Sequence, residues 1–164
     1  MKKPIGSVLA IVLASGVVSA GLAQAGGETS CKRIRAQIVD ATATAGCTSP
    51  DNFCAAGTVL ANHFLNGTTF FTLDGFARGP VIAPGFNSTS GVLVYTTEHG
   101  TLTVRETGIS DISLSAGTGH GAAVQEILGG TGRFTGVTGH LELSQSPGAG
   151  KFISDVVGEL CVRD

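Results

Sequence analysis

Hydrophobic and polar positions alternate along most of the chain, in short runs that Gly, Asn and Pro separate about every ten residues. Such runs, rich in β-branched residues and bounded by turn formers, are typical of β-strands. No stretch shows the period of an amphipathic helix over a convincing length. The pattern predicts eight strands, over Lys32 to Val39, Thr58 to Phe64, Thr68 to Phe76, Gly91 to Thr97, Thr101 to Gly108, Ala122 to Leu128, Gly136 to Ser144 and Lys151 to Val162.

The links between these runs predict hairpins and loops. Leu65-Asn66-Gly67 joins the second run to the third, and His99-Gly100 joins the fourth to the fifth. Asn-Gly tolerates the positive φ that tight turns require. Three longer links, Ala41 to Cys54, Arg78 to Ser90 and Ser110 to Gly121, are predicted as loops. The second of these contains prolines, and we expect it to cap one end of the structure.

The edges of eight short antiparallel strands must be covered, either in two packed sheets or by closure into a barrel. We favour closure, because bending strands round a small barrel uses glycine at bulges and kinks. The chain has 25 glycines, most of them after the first 25 residues. The predicted fold class is all-β, as one eight-stranded antiparallel β-barrel domain over residues 26–164.

The first 25 residues have the pattern of a secretory signal peptide. Lys2 and Lys3 precede an apolar run from Ile5 to Leu22, and Ala23-Gln24-Ala25 provides a small-residue cleavage site. A transmembrane anchor is the alternative, which the Gly and Ser residues within the run disfavour. We expect a secreted or periplasmic protein with no membrane span after cleavage.

Charged residues make up only 13% of the chain, the formal net charge is -2 and the mean hydropathy is +0.32. This composition excludes a disordered tail protein. No basic excess is available to neutralise phosphates, so a nucleic-acid partner is not expected.

Four cysteines follow the signal segment, and an even number in an exported chain favours two disulfides. Three pairings are open. We favour Cys47 with Cys54, which closes a short loop and leaves Cys31 to meet Cys161.

No metal and no cofactor are expected. The chain has no Cys-x-x-Cys, and its four histidines show no ligand spacing. The Gly-rich segments lack the Lys-Ser/Thr of a P-loop and the βαβ context of a dinucleotide site. There is also no Gly-x-Ser-x-Gly element to position a nucleophile.

Two glutamates share a strand face with apolar neighbours. Because side chains alternate along a strand, Glu106 shares its face with Val104, and Glu126 shares its face with Val124 and Leu128. A carboxyl inside an apolar barrel has a raised pKa and can act as an acid or a base. We therefore nominate both as catalytic candidates; in the alternative, each lies in solvent at a barrel mouth beside an arginine.

Aromatic residues on the predicted strands are candidates for contact with a ligand. Tyr95 could donate a hydrogen bond, and Phe70 and Phe76 could form cavity wall, although each could equally pack in the core. Asp74 is a further acidic candidate that the following glycine, a sign of the strand's end, makes weaker.

Four segments of the chain resemble parts of a known family. Residues 129–139, Gly-Gly-Thr-Gly-Arg-Phe-Thr-Gly-Val-Thr-Gly, and the final Gly158-Glu159-Leu160-Cys161 resemble the allene oxide cyclase and dirigent-like barrel superfamily, as do Gly100 to Glu106 and Cys54 to Thr58. Secreted bacterial members of this superfamily have a similar pattern. The resemblance implies an eight-stranded antiparallel barrel with an elongated apolar cavity. Characterised members guide the cyclisation or coupling of reactive apolar molecules. The glycine motif belongs to the scaffold, so no catalytic residue is carried over.

Several functions are compatible with this predicted barrel. We favour an exported barrel that binds a small apolar molecule in its cavity, which requires only the cavity. The alternatives are a cyclase or isomerase, an activity implied by the resemblance alone, and a structural barrel associated with the cell envelope. Related barrels form dimers or trimers, and apolar residues on both faces of Lys151 to Val162 are compatible with a homo-oligomer.

Overall fold

Eight antiparallel strands follow one another around a closed barrel in chain order, in a computed structural model that describes residues 29–163. The strands are β1 (Thr29–Thr42), β2 (Cys54–Ala61), β3 (Gly67–Arg78), β4 (Asn87–Thr97), β5 (Gly100–Ser110), β6 (Gly121–Gly130), β7 (Thr138–Gly148) and β8 (Lys151–Arg163). A short 3₁₀ helix, Gly132–Phe134, precedes β7. The predicted signal peptide lies outside the described residues. None of the helical structure described within 29–163 has the length and apolarity to cross a membrane.

Closure takes place between the first and the last strand. β1 pairs antiparallel with β8, from Thr29 opposite Arg163 to Asp40 opposite Phe152. Every strand thus has a neighbour on both sides, and the backbone donors and acceptors of both edges are used within the barrel. The predicted all-β class and the predicted closed eight-stranded antiparallel barrel are confirmed.

The second predicted strand ends earlier than its hydrophobic run. The chain leaves β2 at Ala61, and the side chain of Asn62 binds the backbone of β1 by accepting from Arg35 N at 2.8 Å and donating to Arg33 O at 3.0 Å. His63 then adopts φ 62°, which turns Phe64 and Leu65 into the barrel end. These apolar residues continue the run in sequence, but they fill the core from a turn rather than from a strand.

One end of the barrel, where β1 begins and β8 ends, is filled by side chains. Phe134, from the 3₁₀ helix, is fully buried and packs edge-on against Phe64 with ring centroids 5.7 Å apart. The surrounding core consists of aliphatic and aromatic residues from the strands, including Ile34, Val59, Tyr95, Leu102, Leu141, Leu160 and Val162.

The loop over residues 79–86 was expected to cap one end of the barrel, but it does not cover the end opposite the filled one. Pro80 O accepts from Ala83 N at 2.8 Å, which forms a turn with Val81 and Ile82 at its tip. Both side chains are more than nine-tenths exposed. The loop therefore projects from the rim, and the expectation of a cap is wrong because the turn directs its apolar residues away from the barrel.

Two disulfides join the cysteines in the pairing favoured from the sequence. Cys31 and Cys161 are register partners across the closing β1–β8 ladder and are bonded to each other. Cys47 is bonded to Cys54, the first residue of β2, and so fixes the β1–β2 loop to the sheet. One bond closes a long loop and the other a short one, with sequence separations of 130 and 7.

Removing each bond separately is expected to destabilise the barrel by different amounts. In the loop-entropy account, the Cys31–Cys161 bond contributes about 5 kcal/mol and the Cys47–Cys54 bond about 2 kcal/mol. Urea unfolding of the Cys31→Ser/Cys161→Ser and Cys47→Ser/Cys54→Ser variants measures both free energies. Equal losses would show that loop length does not govern the contribution of these bonds.

Candidate functional site

A cavity of about 500 Å³ occupies the half of the barrel opposite the filled end. It opens between the loops at residues 43–53 and 111–120, which contribute Phe53, Ile112 and Leu114 to its mouth. Its wall is mainly apolar and comes from seven of the eight strands. Further lining residues include Ile38, Ala55, Phe71, Leu73, Phe76, Thr89, Leu93, Leu143 and Phe152.

Two glycines make room for large or polar side chains in this wall. A Cβ at Gly91 would lie 2.4 Å from Cζ of Phe71, so the Phe71 ring occupies the space that a β4 side chain would need. A Cβ at Gly57 would lie 2.3 Å from Oδ1 of Asp40. Both positions therefore require glycine: the Phe71 ring lies across Gly91, and the backbone oxygen of Val39, at 2.0 Å from the position of a Cβ, lies across Gly57 together with the Asp40 carboxyl.

An irregularity in β3 decides which of its residues face the cavity. The register with β4 shifts between Leu73 and Gly75, as in a β-bulge. Leu73 and Phe76 consequently both line the cavity although they are three positions apart. Asp74 lies outside, where it forms an ion pair with Arg105 and accepts a hydrogen bond from Ser90. The Arg105 hydrogen bond is the main cause that lowers the pKa of Asp74.

Glu106 enters the cavity from β5 and is held by a chain of buried hydrogen bonds. Nε2 of Gln125 donates to Oε2 of Glu106 at 2.7 Å, and the Tyr95 hydroxyl donates to Oε1 of Gln125 at 2.8 Å. Burial raises the pKa of Glu106, the hydrogen bond from Gln125 opposes this, and the charge of Asp40 adds to the increase. Burial also raises the pKa of Tyr95 strongly, so its hydroxyl remains a donor.

Asp40 places a second carboxyl in the same cavity. Its Oδ1 accepts a hydrogen bond of 2.6 Å from the Thr69 hydroxyl, and the residue is almost fully buried. Burial raises the pKa of Asp40, and the Thr69 hydrogen bond partly offsets the increase. Since β1 and β5 are four strands apart in either direction around the barrel, Asp40 and Glu106 lie on opposite walls.

The two glutamates nominated from the sequence have different locations. Glu106 lines the cavity, as the alternation in its strand suggested. Glu126 is exposed on the outside of β6, together with Val124 and Leu128, so the prediction that it is an interior acid is wrong. The buried polar residue of β6 is Gln125, which the sequence analysis missed because both faces of that strand carry apolar residues.

Of the three aromatic residues predicted to contact a ligand, one lines the cavity and two do not. Phe76 lines the cavity. Tyr95 is fully buried below the cavity floor, where its hydroxyl meets Gln125. Phe70 is not among the lining residues; it faces the β1–β2 loop, with Cζ 3.9 Å from the position of a Cβ on Gly46. Phe71, the next residue, takes the interior position, since successive side chains of a strand point to opposite faces.

Asp40 is the buried acidic residue of the cavity, and sequence reasoning did not single it out. The signal that could have found it is the alternation Ile34, Ala36, Ile38, Asp40, which continues an apolar face into a carboxyl. The interior position of Asp40 follows from this period.

Within residues 29–163, one group of potential metal ligands lies close together: Cys31, Glu159 and Cys161. Its two sulfur atoms are bonded to each other. A disulfide does not provide the thiolate that binds metal ions, so the group is not a metal centre.

Comparisons with models of protein families, with curated proteins and with solved structures find no significant match to this chain. The resemblance to the allene oxide cyclase and dirigent-like superfamily therefore stays a prediction from sequence motifs. The geometry of the cavity and its two carboxyls is the basis for a functional proposal.

The raised pKa of Glu106 predicts a pH-dependent cost to stability. Because the folded-state pKa lies above the unfolded value, the folded barrel binds more protons, and its stability falls as pH rises above about 4.5. Glu106→Gln removes this dependence, so we expect its unfolding free energy relative to the parent to increase with pH, by up to about 1.4 kcal/mol per pH unit. Urea unfolding between pH 4 and 8, in steps of roughly one unit, measures the trend.

Glu126→Gln is the matched control, since it makes the same chemical change on the outside of the barrel. It shows how much of any pH trend comes from replacing a glutamate by glutamine as such. A trend for Glu106→Gln no steeper than that of this control would contradict burial of an ionisable group at that position.

Proposed function

We propose that this protein is an exported β-barrel that binds a small apolar molecule in its cavity. The observation that carries the proposal is the asymmetry of the interior: one end is packed with side chains, while the other encloses about 500 Å³ lined mainly by apolar residues. Ligand cavities in proteins commonly measure about 300–1,000 Å³ and combine apolar walls with a few polar groups. A purely structural barrel has no need for such a volume.

Two features support export. The chain carries two disulfides, which persist in oxidising compartments. Its first 25 residues have the charge, apolar run and small-residue site of a signal peptide. A secreted or periplasmic location is therefore part of the proposal, as is descent from the allene oxide cyclase and dirigent-like superfamily.

A second candidate function is a cyclase or isomerase, and the observation that favours it is the position of Glu106. A partly buried carboxyl with a raised pKa, held by Gln125 in the wall of an apolar cavity, can act as a general acid or base. Confinement of a flexible substrate would supply much of the rate increase by orienting its reacting atoms. Binding requires the cavity alone, whereas catalysis requires this side chain as well.

Filling the cavity tests the binding proposal directly. Thr89 lines the cavity, and its neighbour Ser88 is exposed on the outside of β4. We expect Thr89→Phe to weaken binding of the neutral fluorescent probe Nile red by roughly tenfold or more, because the added ring occupies ligand volume. Ser88→Phe should bind the probe as the parent does. Parent-like binding by Thr89→Phe would show that the probe occupies another place.

Native mass spectrometry of the protein purified from its own host, followed by denaturing extraction, identifies a natural occupant. We expect a small apolar molecule at one equivalent per chain. Incubation of that molecule with parent and Glu106→Gln then separates the two functions. Conversion of the molecule by the parent, with uptake but no conversion by Glu106→Gln, supports the enzyme. Uptake by both proteins without conversion supports binding.

A further inference from the structure

The charged groups of the cavity are all acidic. Asp40 and Glu106 occupy opposite walls, and Asp51 lies at the mouth. Among the residues of 29–163 that line the cavity there is no lysine, arginine or histidine. The lining residues therefore combine apolar side chains with negatively charged groups only.

The hydrogen-bond partners of the two interior carboxyls are neutral. Asp40 accepts from the hydroxyl of Thr69, and Glu106 accepts from the amide of Gln125. The neighbouring arginine of β5, Arg105, points outward and forms an ion pair with Asp74. Neither hydrogen bond supplies a positive charge, so both carboxylates face the cavity without a balancing cation from these partners.

Aromatic rings form a large part of the same wall. Phe71 and Phe76 extend from β3, while Phe53 and Phe152 meet edge to face at 6.0 Å near the mouth. The face of an aromatic ring attracts cations, and the attraction grows when water is excluded. Carboxylates and aromatic faces together are the surroundings that recognise an organic ammonium group.

We propose that the molecule bound in this cavity is an apolar amine, with a protonated nitrogen between Asp40 and Glu106 and a hydrocarbon body against the phenylalanine rings. This inference rests on the proposed binding function and names its ligand class. A fatty acid or another apolar anion would meet repulsion from both carboxylates. A neutral ligand would leave the two like charges uncompensated.

The proposal also fixes the direction of a pH effect. The titratable groups that face the site are Asp40, Glu106 and Asp51, with Tyr95 beneath the floor. Burial raises the pKa of both Asp40 and Glu106, and each must be ionised to attract an ammonium group. Amine affinity should therefore fall as pH is lowered and the carboxylates take up protons.

Three probes that share one hydrocarbon body separate charge from apolar burial. Isothermal titration calorimetry with phenylbutylamine, phenylbutanol and phenylbutyrate compares a cation, a neutral molecule and an anion of similar size. At pH near 7.5 we expect the amine to bind roughly tenfold tighter than the alcohol, and the acid to bind most weakly. Lowering the pH to about 4.5 should reduce the advantage of the amine over the alcohol.

Variants locate the origin of this preference. Asp40→Asn and Glu106→Gln should each reduce the advantage of the amine over the alcohol, measured as the ratio of the two affinities in the same variant. Glu126→Gln, which changes a carboxyl outside the barrel, should leave the advantage unchanged. The pH series on the parent protein tests the same point without any substitution, so a variant that folds poorly does not remove the test.

The outcomes distinguish the ligand class from the binding function. Equal affinity for all three probes, or a preference for the alcohol or the acid, would overturn the amine inference while the cavity remains a binding site. An amine preference that persists in both Asp40→Asn and Glu106→Gln would overturn it as well. Failure of all three probes and of Nile red would overturn the proposed binding function itself.

Discussion

Closure of the sheet between β1 and β8 is the constraint on which the rest of this structure depends. A barrel of eight strands has an interior that side chains can just fill or that can hold one small ligand. Both solutions occur in this molecule. At one end, Phe64, Leu65 and Phe134 enter from turns and complete the packing. At the other end, residues such as Ala55 and Thr89 leave volume that no loop side chain takes.

Much of this architecture could be predicted from the order of residues, because a period of two and regular turn signals define strands locally. The need to cover edges left two packed sheets or a barrel, and the many glycines favoured the barrel. The even number of cysteines favoured two disulfides, and the short loop between Cys47 and Cys54 favoured the pairing. The candidate site was predicted less well. β6 has apolar residues on both faces, so its pattern could not decide between Gln125 and Glu126 as the interior residue. The shift in β3 that brings the half-exposed Phe76 to the cavity depends on pairing with β4.

The buried carboxyls oppose stability where the cavity lies. An apolar residue in place of Asp40 or Glu106 would avoid the desolvation that raises the pKa of each. The surrounding residues compensate only in part, with one hydroxyl from Thr69 and one amide from Gln125. Departures from an apolar interior of this kind are concentrated at functional sites, where a local cost is kept for a molecule that the site recognises.

The position of the closing ladder also determines when the chain can finish folding. β1 has one neighbour, β2, close in sequence, while its other neighbour begins more than a hundred residues later, at Lys151. Contacts between such distant segments form slowly, because a long loop must close before they stabilise the structure. Until β8 arrives, one side of β1 presents unpaired backbone groups to other chains. Pairing of the last strand with β1 thus closes the barrel, and the Cys31–Cys161 bond keeps these two strands joined as long as the surroundings remain oxidising.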